Sequence, residues 1–370
     1  MRILYLMHIP WGWIKQRPHF LAEKLAEHFK IDVYCKLKLT NKDNLSGNGQ
    51  LSHLSNMTVH GYNIIPFDKI PILRHLKLDF VNRIIMKIIL PSTRRYDYIW
   101  IPSPYTYQFM YNVLNKKDKV IYDCMDDNPE FPDLSESRRN AMIYWEKNLV
   151  ERADYIFFSS ENLKNKVLRR AGINKKAMVV NNAIELPQRE AVQMTEETES
   201  KLSTIRKLSK PLMYIGTISE WFDFSLIKDV LKDAPDVNVV LIGPSTVEVP
   251  VFERITVLGP IERKYIFEFM QEAYALIMPF ELNELIESVN PVKLYEYIYS
   301  GKPVIARKYG ETDKFKDYVY LYNDKKDFIS ALDKIEADPY PTANKEKAIE
   351  FVRNNTWTHR CSEILRFLEQ

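Results

Sequence analysis

The chain has 370 residues, which is longer than one hydrophobic core usually supports, so two domains of ordinary size are expected. Hydrophobic residues make up 46% of it and charged residues 27%, a balance typical of folded globular proteins and unlike that of disordered chains. The 52 basic and 49 acidic residues nearly cancel, so the overall charge gives no reason to expect a nucleic-acid partner.

Cysteine usage and the N-terminal sequence bear on the compartment. Cys35, Cys124 and Cys361 lie far apart with no CxxC spacing, which predicts neither a disulfide framework nor a zinc site. The N-terminal stretch MRILYLMHIP is too short for a signal peptide, and the sequence has no run of about 18 apolar residues that could span a bilayer. We therefore expect a cytoplasmic protein that does not cross a membrane.

The first half of the chain alternates short apolar runs with helical patterns. Helices are predicted at 18–29 and 136–152. The runs that we interpret as strands are ILYLMHI, IDVYCKL, MTVHGYNII, YDYIWIP, KVIYDCM, ADYIFFSS and AMVVN. Apolar strands separated by helices indicate β-α-β units and a parallel sheet that is buried on both faces.

A change of composition separates this half from the next. Residues 186–211 contain no aromatic side chain and are rich in charge, in a chain that is otherwise 12% aromatic, so we interpret them as a linker. The alternation then restarts with LMYIG, NVVLIGP, ITVLGP, YALIMPF, PVIA and VYLYND, which predicts a second doubly wound unit.

The predicted fold class is α/β, with two doubly wound parallel-sheet domains. The N-terminal domain covers residues 1–185 and the C-terminal domain 212–343, and a helical segment at 344–370 is expected to pack back on the first domain. Open parallel sheets bind ligands at the carboxyl ends of their strands, so the site is expected in a cleft between the two domains.

The strongest local signal is the segment SVNPVKLYEYIYSGKPVIA, which covers residues 288–306. Asn290 is a favourable N-cap, Pro291 suits the first helical position, and Gly301 followed by Pro303 ends the helix. This punctuation predicts a helix that begins directly after an irregular polar loop.

The first turn of that helix has the character of an anion site. Lys293 faces the positive end of the helix dipole, where a cation is disfavoured by roughly 0.3–1 kcal/mol unless an anion binds there. A diphosphate could accept hydrogen bonds from free backbone N–H groups near Val289 to Val292 and pair with Lys293. Glu296 lies one turn further on the same face, where its carboxylate could accept two ribose hydroxyls. The alternative is a surface ion pair of Lys293 with Glu296, Glu287 or Glu284.

Glycine placement in the second half supports a ligand site. The chain has ten glycines, and Gly216, Gly243 and Gly259 each directly follow a predicted strand. Backbone without a Cβ atom can approach a ligand closely. The alternative is that these glycines serve the turns that end the strands.

Taken together, these segments resemble the bacterial group-1 glycosyltransferases of the GT-B fold, in particular the transferases of teichuronic acid and other surface polysaccharides. The matching segments, which extend over both domains, are WGWIKQRPHFLAEKLA, YDCMDD, NNAIE, YIGTISEWFDFSLI and NPVKLYEYIYSGKPVIA. The resemblance implies two Rossmann-like domains that face a cleft, with the acceptor in first-domain loops, the nucleotide sugar in the second domain, and no requirement for a metal. It further implies that Gly216 and Thr217 line the phosphates and that Ile261 contacts the base.

The sequence departs from the pattern of that family at two places. Many retaining members carry a glutamate eight positions before the residue that corresponds to Glu296, and here that position is Ser288, which we include with Val289 in the donor site. The segment YIGTISEWFD lacks the basic residues that many relatives place there to hold the diphosphate. We therefore expect Lys293 to carry more of that charge.

Two adjacent carboxylates are the candidates for the chemistry. Glycosyl transfer with inversion needs a base that takes a proton from the acceptor hydroxyl. Asp126 and Asp127 follow the strand KVIYDC at its carboxyl end, where neighbouring carboxylates tend to raise one another's pKa. We predict that they are the catalytic residues. The alternatives are a turn before Asn128 and Pro129, or a metal-binding DxD motif.

The loop after the first strand is the predicted acceptor site. Large aromatic faces suit a sugar, and an arginine suits a phosphate. The residues assigned to this site are Trp11, Gly12, Trp13, Gln16 and Arg17. His19 is interpreted as a residue of the helix N-terminus rather than as a catalytic group.

Residues 72–90 mix many apolar side chains with basic ones and are followed by Arg94 and Arg95. A stretch of this composition could lie in a membrane interface, and the alternative, which we favour, is a cleft-facing or sheet-covering helix of the first domain.

The predicted function is transfer of a sugar from a nucleotide diphosphate donor, expected to be UDP-linked, to a cell-surface polysaccharide or lipid-linked glycan. The nucleotide sugar is a substrate, so no cofactor is expected, and residues 72–95 are the candidate for peripheral contact with a membrane. Two alternatives stay open, namely a sugar-nucleotide epimerase of similar architecture and a non-catalytic glycan-binding relative.

Overall fold

The computed structural model describes residues 1–11, 15–36, 55–62, 65, 79–132, 134–187 and 193–369. These residues form two compact units. The first unit contains Met1–Asn182 together with Trp357–Gln370, and the second contains Ala183–Thr356.

The first unit is built on a parallel sheet of seven strands. They are β1 (Arg2–Met7), β2 (Lys30–Lys36), β3 (Met57–Tyr62), β4 (Tyr98–Ile101), β5 (Val120–Cys124), β6 (Tyr155–Phe158) and β7 (Met178–Val179). Their order across the sheet is β3-β2-β1-β4-β5-β6-β7, and each pairing is parallel. The seven strands predicted from apolar runs are confirmed, and the central ones are buried because helices cover both faces of such a sheet.

Five helices connect these strands. They are α1 (Arg17–Leu25), α2 (Asp79–Ile89), α3 (Pro104–Met110), α4 (Glu136–Arg152) and α5 (Glu161–Ala171). Local sequence explains their ends: the Ser160 hydroxyl accepts a hydrogen bond from Leu163 N at 3.0 Å, and Gly172 ends α5 at a φ of +69°. The predicted helix 136–152 is confirmed at both ends.

The second unit repeats the plan with a parallel sheet of six strands in the order β10-β9-β8-β11-β12-β13. They are β8 (Pro211–Ile215), β9 (Asn238–Ile242), β10 (Ile255–Gly259), β11 (Ala275–Met278), β12 (Val304–Arg307) and β13 (Tyr320–Tyr322). All six predicted strands are confirmed. The chain runs from β8 to β9 in one direction along the sheet and from β11 to β12 in the other. The carboxyl ends of β8 and β11 are therefore the usual binding position of a doubly wound fold.

The helices that follow are α6 (Glu196–Arg206), α7 (Phe224–Asp233), α8 (Ile266–Gln271), α9 (Val292–Ser300), α10 (Lys325–Lys334), α11 (Lys345–Arg353) and α12 (Trp357–Leu368). Gly301 ends α9 in the left-handed conformation at a φ of +78°, as its place in the sequence predicts. The last helix, α12, belongs to the first unit, where Trp357 stacks on Phe20.

The range interpreted as a linker, 186–211, includes α6. Leu202 and Ile205 of that helix are buried in the core of the second unit. Among the described helices, none combines the length and apolar character that crossing a bilayer requires.

Candidate functional site

The carboxyl ends of β8 and β9 meet the start of α9 in the second unit. We name this region, which contains Gly216, Gly243 and Lys293, the donor corner. A Cβ atom placed on Gly216 would lie 2.1 Å from Lys293 Cε and 2.6 Å from Lys293 Nζ. A Cβ atom on Gly243 would lie 2.1 Å from the carbonyl oxygen of Gly216. A side chain at Gly216 would displace the end of Lys293, and one at Gly243 would clash with the backbone of Gly216. Three residues predicted for the donor site, which are separated in sequence, are therefore packed together.

Lys293 is the charged group of this corner. Its side chain is half-buried, and burial lowers its pKa from the usual value, while the charge of Glu296 acts in the opposite direction. No hydrogen bond or ion pair joins its ammonium to another described residue, and the ammonium lies over the ring of Tyr214, 5.8 Å from the ring centroid. The Tyr214 hydroxyl donates to the Thr217 carbonyl at 2.8 Å, which fixes the backbone after β8 beside the lysine. The proposed alternative of a surface ion pair for Lys293 is not what the structure contains.

The start of α9 differs by one residue from the prediction. Pro291 has extended backbone and is the N-cap, so Val292 is the first helical residue. Asn290 does not cap the helix: it is buried, and its Nδ2 donates to Glu311 Oε2 at 3.0 Å. The charged acceptor makes this a strong hydrogen bond and holds the Asn290 side chain against Glu311. The first amide groups of α9 remain without an intrahelical acceptor, as at every helix start.

The loop before this helix is held by its own contacts. The buried Ser288 hydroxyl donates to the Glu284 carbonyl at 3.3 Å, and the Tyr309 hydroxyl donates to the Val289 carbonyl at 3.1 Å. Ser288 and Val289 lie directly before the helix start, as predicted from sequence. Their contact with a donor stays a prediction.

Glu296, the residue predicted to accept ribose hydroxyls, is 14% exposed and has a partner from outside its helix. Arg263 Nη2 donates to Glu296 Oε1 at 3.0 Å. Arg263 opens the turn after β10, two residues beyond Ile261, which is half-buried against the core of the unit. The predicted ribose and base residues are thus linked through an arginine that the sequence did not indicate.

In the first unit, the two adjacent aspartates have different environments. Asp127 is fully buried, with Oδ1 2.8 Å from Arg170 Nη2 and Oδ2 2.8 Å from Lys166 Nζ. Arg170 also binds Glu146, a buried carboxyl whose pKa is raised to about 7, mainly by burial. Asp127 is therefore part of a buried charge cluster, and its prediction as a catalytic base is not supported by its contacts.

Asp126 lacks such partners. Its carboxylate makes no hydrogen bond or ion pair with any described residue, whereas its backbone carbonyl accepts from Asn128 N at 3.0 Å and so holds the turn. Burial raises the pKa of Asp126 to about 6; Arg17 opposes this shift and Asp127 adds to it. The carboxylate is half-buried at the carboxyl end of β5 and can accept a proton near neutral pH.

Two residues of the predicted acceptor loop have buried side chains in the first unit. Trp11 is buried, with its ring edge-on to His19 at 5.2 Å between centroids. The guanidinium of Arg17 is also buried: it binds Asp123 Oδ1 through Nη2 at 2.7 Å, and Nη1 donates to the Val180 carbonyl at 2.7 Å. These contacts compensate the buried charge of Arg17 inside the first unit, because a buried arginine needs a fixed countercharge. Contact of either side chain with an acceptor stays a prediction.

The remaining residues of that loop divide as follows. Gly12 and Trp13 lie outside the described residues. Gln16 is the N-cap of α1, and its backbone N–H donates to His19 Nδ1 at 3.1 Å. The other ring nitrogen of His19 lies 3.1 Å from the Pro10 carbonyl, and burial lowers the pKa of this histidine. His19 is therefore a residue of the helix N-terminus, as predicted.

An apolar face of α2 is exposed. Phe80, Ile84 and Ile88, which we name the α2 stripe, recur every four residues and are 52%, 53% and 77% exposed. Met86 and Asn82 on the opposite face are buried. The exposed basic residues in and after the helix are Lys87, Arg94 and Arg95. The first part of the predicted segment, 72–78, lies outside the described residues.

No protein-family model matches the chain. Among solved structures, it is similar over 100% of its length to Anabaena HepE in complex with UDP and glucose, with a TM-score of 0.68 at 13% identity and 100% of that chain covered. It is similar in the same way to sucrose-phosphate synthase from Thermosynechococcus elongatus, with a TM-score of 0.71 at 14% identity and 99% of that chain covered. The chain has the GT-B fold of glycosyltransferases, with two Rossmann-like parallel-sheet units.

The sequence is also similar to a Bacillus subtilis (strain 168) protein. The two chains are 28% identical over 267 residues, which are 68% of this chain and 66% of the other. That protein carries the name teichuronic acid biosynthesis glycosyltransferase TuaH, given there as a provisional assignment. The match thus spans just under two thirds of the length of this relative, and it confirms the resemblance drawn from the sequence segments.

Proposed function

We propose that this protein is a glycosyltransferase that moves a sugar from a UDP-linked donor to a cell-surface polysaccharide or a lipid-linked glycan. One observation carries the proposal: Lys293 is held against Gly216 at the start of α9, with its pKa lowered by burial and no anionic partner in the described part of the chain. An ammonium in this position is stabilised when an anion binds.

A diphosphate fits the corner better than a single carboxylate does. The first amide groups of α9 and the Lys293 ammonium are hydrogen-bond donors at the positive end of the helix dipole. Gly216 and Gly243 supply backbone without side chains beside them. Two linked phosphates can use both sets of donors, and a nucleoside attached to them would extend toward Glu296 and Ile261.

The comparisons support the identity of the donor and the kind of product. HepE is solved with UDP and glucose and also with UDP-glucose, and the Bacillus subtilis relative is named for teichuronic acid biosynthesis. We extend both features to this chain as part of the proposal. The nucleotide sugar is then a substrate, and no cofactor or metal takes part.

Asp126 is the proposed base for a transfer that inverts the anomeric carbon. The acceptor hydroxyl loses its proton to the Asp126 carboxylate as its oxygen bonds to the anomeric carbon. The bond from that carbon to the diphosphate breaks, and the leaving diphosphate keeps the electron pair. Lys293 and the α9 amide groups stabilise the charge that develops on it.

Calorimetry with UDP, uridine and other nucleoside diphosphates tests donor binding. We expect UDP to bind more tightly than uridine, because uridine lacks the anion that Lys293 meets. Absence of binding by every nucleotide would contradict the proposal. UDP-sugars are then incubated with and without glycan acceptors, and with EDTA. An epimer formed without acceptor would identify an epimerase, and binding without turnover would identify a non-catalytic relative.

The α2 stripe is the proposed contact with the membrane that carries the acceptor. Its apolar side chains can enter the headgroup boundary, and Lys87, Arg94 and Arg95 can meet anionic lipids, each contributing about 1 kcal/mol near the surface. In vesicle sedimentation, we expect binding to phosphatidylglycerol-containing vesicles and much less to neutral ones. Ile84→Glu should abolish it, while Val251→Glu, at an exposed apolar residue of the second unit, should not. Equal sedimentation of both variants would contradict this contact.

A further inference from the structure

Arg263 lies at the edge of the candidate donor site, outside the set predicted from sequence. It is 44% exposed, whereas the Glu296 side chain that it binds is 14% exposed. The 3.0 Å hydrogen bond joins the turn after β10 to the second turn of α9, between residues 33 positions apart. The arginine thus reaches into the donor corner from a separate element.

Without Arg263, Glu296 would have another cation within reach. Lys293 precedes it by three residues on α9, and residues at this spacing are neighbours on a helix surface. The charge of Glu296 already raises the pKa of Lys293 against the effect of burial. In the described structure, however, Glu296 Oε1 binds Arg263, and no ion pair forms between Glu296 and Lys293.

We infer that Arg263 is a positioning residue of the donor site: by holding Glu296, it keeps Lys293 free to bind the diphosphate of a nucleotide. The same bond fixes one carboxylate oxygen of Glu296 and leaves Oε2, which has no partner among the described residues, to accept a ribose hydroxyl. This inference rests on the proposed function, because both groups belong to the nucleotide donor.

A rescue experiment separates this role from a merely structural one. Calorimetry with inorganic pyrophosphate should give roughly tenfold weaker binding for Arg263→Ala, since the released Glu296 pairs with Lys293. The double variant Arg263→Ala/Glu296→Gln should regain the wild-type affinity, because the competing charge is gone. Arg263→Lys should bind like the wild type. Arg206→Ala is the matched control. Arg206 is an arginine of the same unit that pairs with Glu199 and Glu272, and its loss should not change the affinity for pyrophosphate.

The pKa of Lys293 gives a second readout that needs no ligand. NMR titration of the ¹³C-dimethylated lysines should show a higher pKa for Lys293 in Arg263→Ala than in the wild type, because an opposite charge stabilises the ammonium. An unchanged pKa, or loss of pyrophosphate binding without rescue by Glu296→Gln, would overturn the role of Arg263. Failure of the wild type to bind UDP would overturn the proposed function, and the titration would still decide whether Arg263 controls Lys293.

Discussion

Both units place charged side chains at the carboxyl edge of a parallel sheet, but they balance those charges differently. In the first unit, Asp127 is matched by Arg170 and Lys166, and Arg17 is matched by Asp123. Asp126 is left with a pKa near 6. In the second unit, Arg263 takes Glu296, and Lys293 keeps no anionic partner in the described structure.

This difference separates structural charges from functional ones. A buried ion pair that loses one partner leaves an uncompensated charge, so paired residues are costly to change and unsuited to chemistry. Groups such as Asp126 and Lys293, whose charge is not paired with that of any described residue, gain stabilisation when a proton or ligand arrives. The following variants test whether the pairing pattern distinguishes the two kinds of residue.

The largest effect is expected for Asp126→Asn. We expect turnover to fall by about 10²- to 10⁴-fold, the range of general base catalysis, with UDP affinity unchanged. Steady-state kinetics and calorimetry measure both quantities. Glu136→Gln, at an exposed carboxylate of the same unit, should leave turnover as it is. Full activity of Asp126→Asn would remove it as the base.

The raised pKa of Asp126 makes the same assignment sensitive to pH. Because the base must be deprotonated, kcat/KM should fall about tenfold per pH unit below about 6. Because the pKa of Asp126 is higher in the folded state than in the unfolded state, the free energy of unfolding of the wild type falls as pH rises from about 4 to 6. Asp126→Asn should therefore be more stable than the wild type at pH 7 by about 1–3 kcal/mol. Urea unfolding at pH 4 and pH 7 measures this difference, which should vanish at the lower pH.

Asp127→Asn should instead destabilise the first unit. Its two cations lose a buried countercharge, and since Arg170 keeps Glu146, we expect a loss at the lower end of the usual range, about 3 kcal/mol. Urea unfolding followed by the fluorescence of the first unit measures it. If Asp127→Asn had wild-type stability but no turnover, Asp127 would be the base and Asp126 would not.

Lys293→Met should weaken binding of the donor diphosphate. Loss of a charge-assisted contact worth about 1.5–3 kcal/mol corresponds to roughly 10- to 100-fold weaker UDP binding. The affinity for uridine should not change, because uridine carries no phosphate. The unfolding free energy should stay the same or rise, since the substitution removes a cation that burial disfavours. A parallel loss of uridine binding would indicate a collapsed site instead.

The smallest effects are expected for alanine at Gly216 and Gly243, and the comparison of these two variants tests the packing of Lys293 on Gly216. Gly243→Ala brings a Cβ atom against the backbone carbonyl of Gly216, which cannot move alone, so about 1–3 kcal/mol of stability should be lost. Gly216→Ala meets the flexible end of Lys293, which can swing away. We therefore expect a smaller loss of stability and weaker UDP binding for Gly216→Ala. Equal destabilisation without a binding defect would contradict the packing of Lys293 on Gly216.

The sequence predicted most of the fold because its signals are local. Apolar runs identified every described strand, and Gly301 marks a helix end that needs a left-handed residue. In the second unit, the position of Lys293 near a helix start and of glycines after strands also follows from short-range pattern. The donor corner was therefore predictable as a group, apart from the one-residue shift of the N-cap to Pro291.

The allocation of charges was decided by tertiary structure. Arg17 and Asp123 are 106 positions apart, Asp127 and Arg170 are 43 apart, and Arg263 and Glu296 are 33 apart. No periodicity links such residues, since their proximity depends on how strands and helices pack. The adjacent Asp126 and Asp127 look alike in sequence, and the position of α5 determines which one is neutralised. The sequence by itself determined two doubly wound units and a helix with Lys293 near its start, whereas the packing of distant elements decided which of the charged residues are paired.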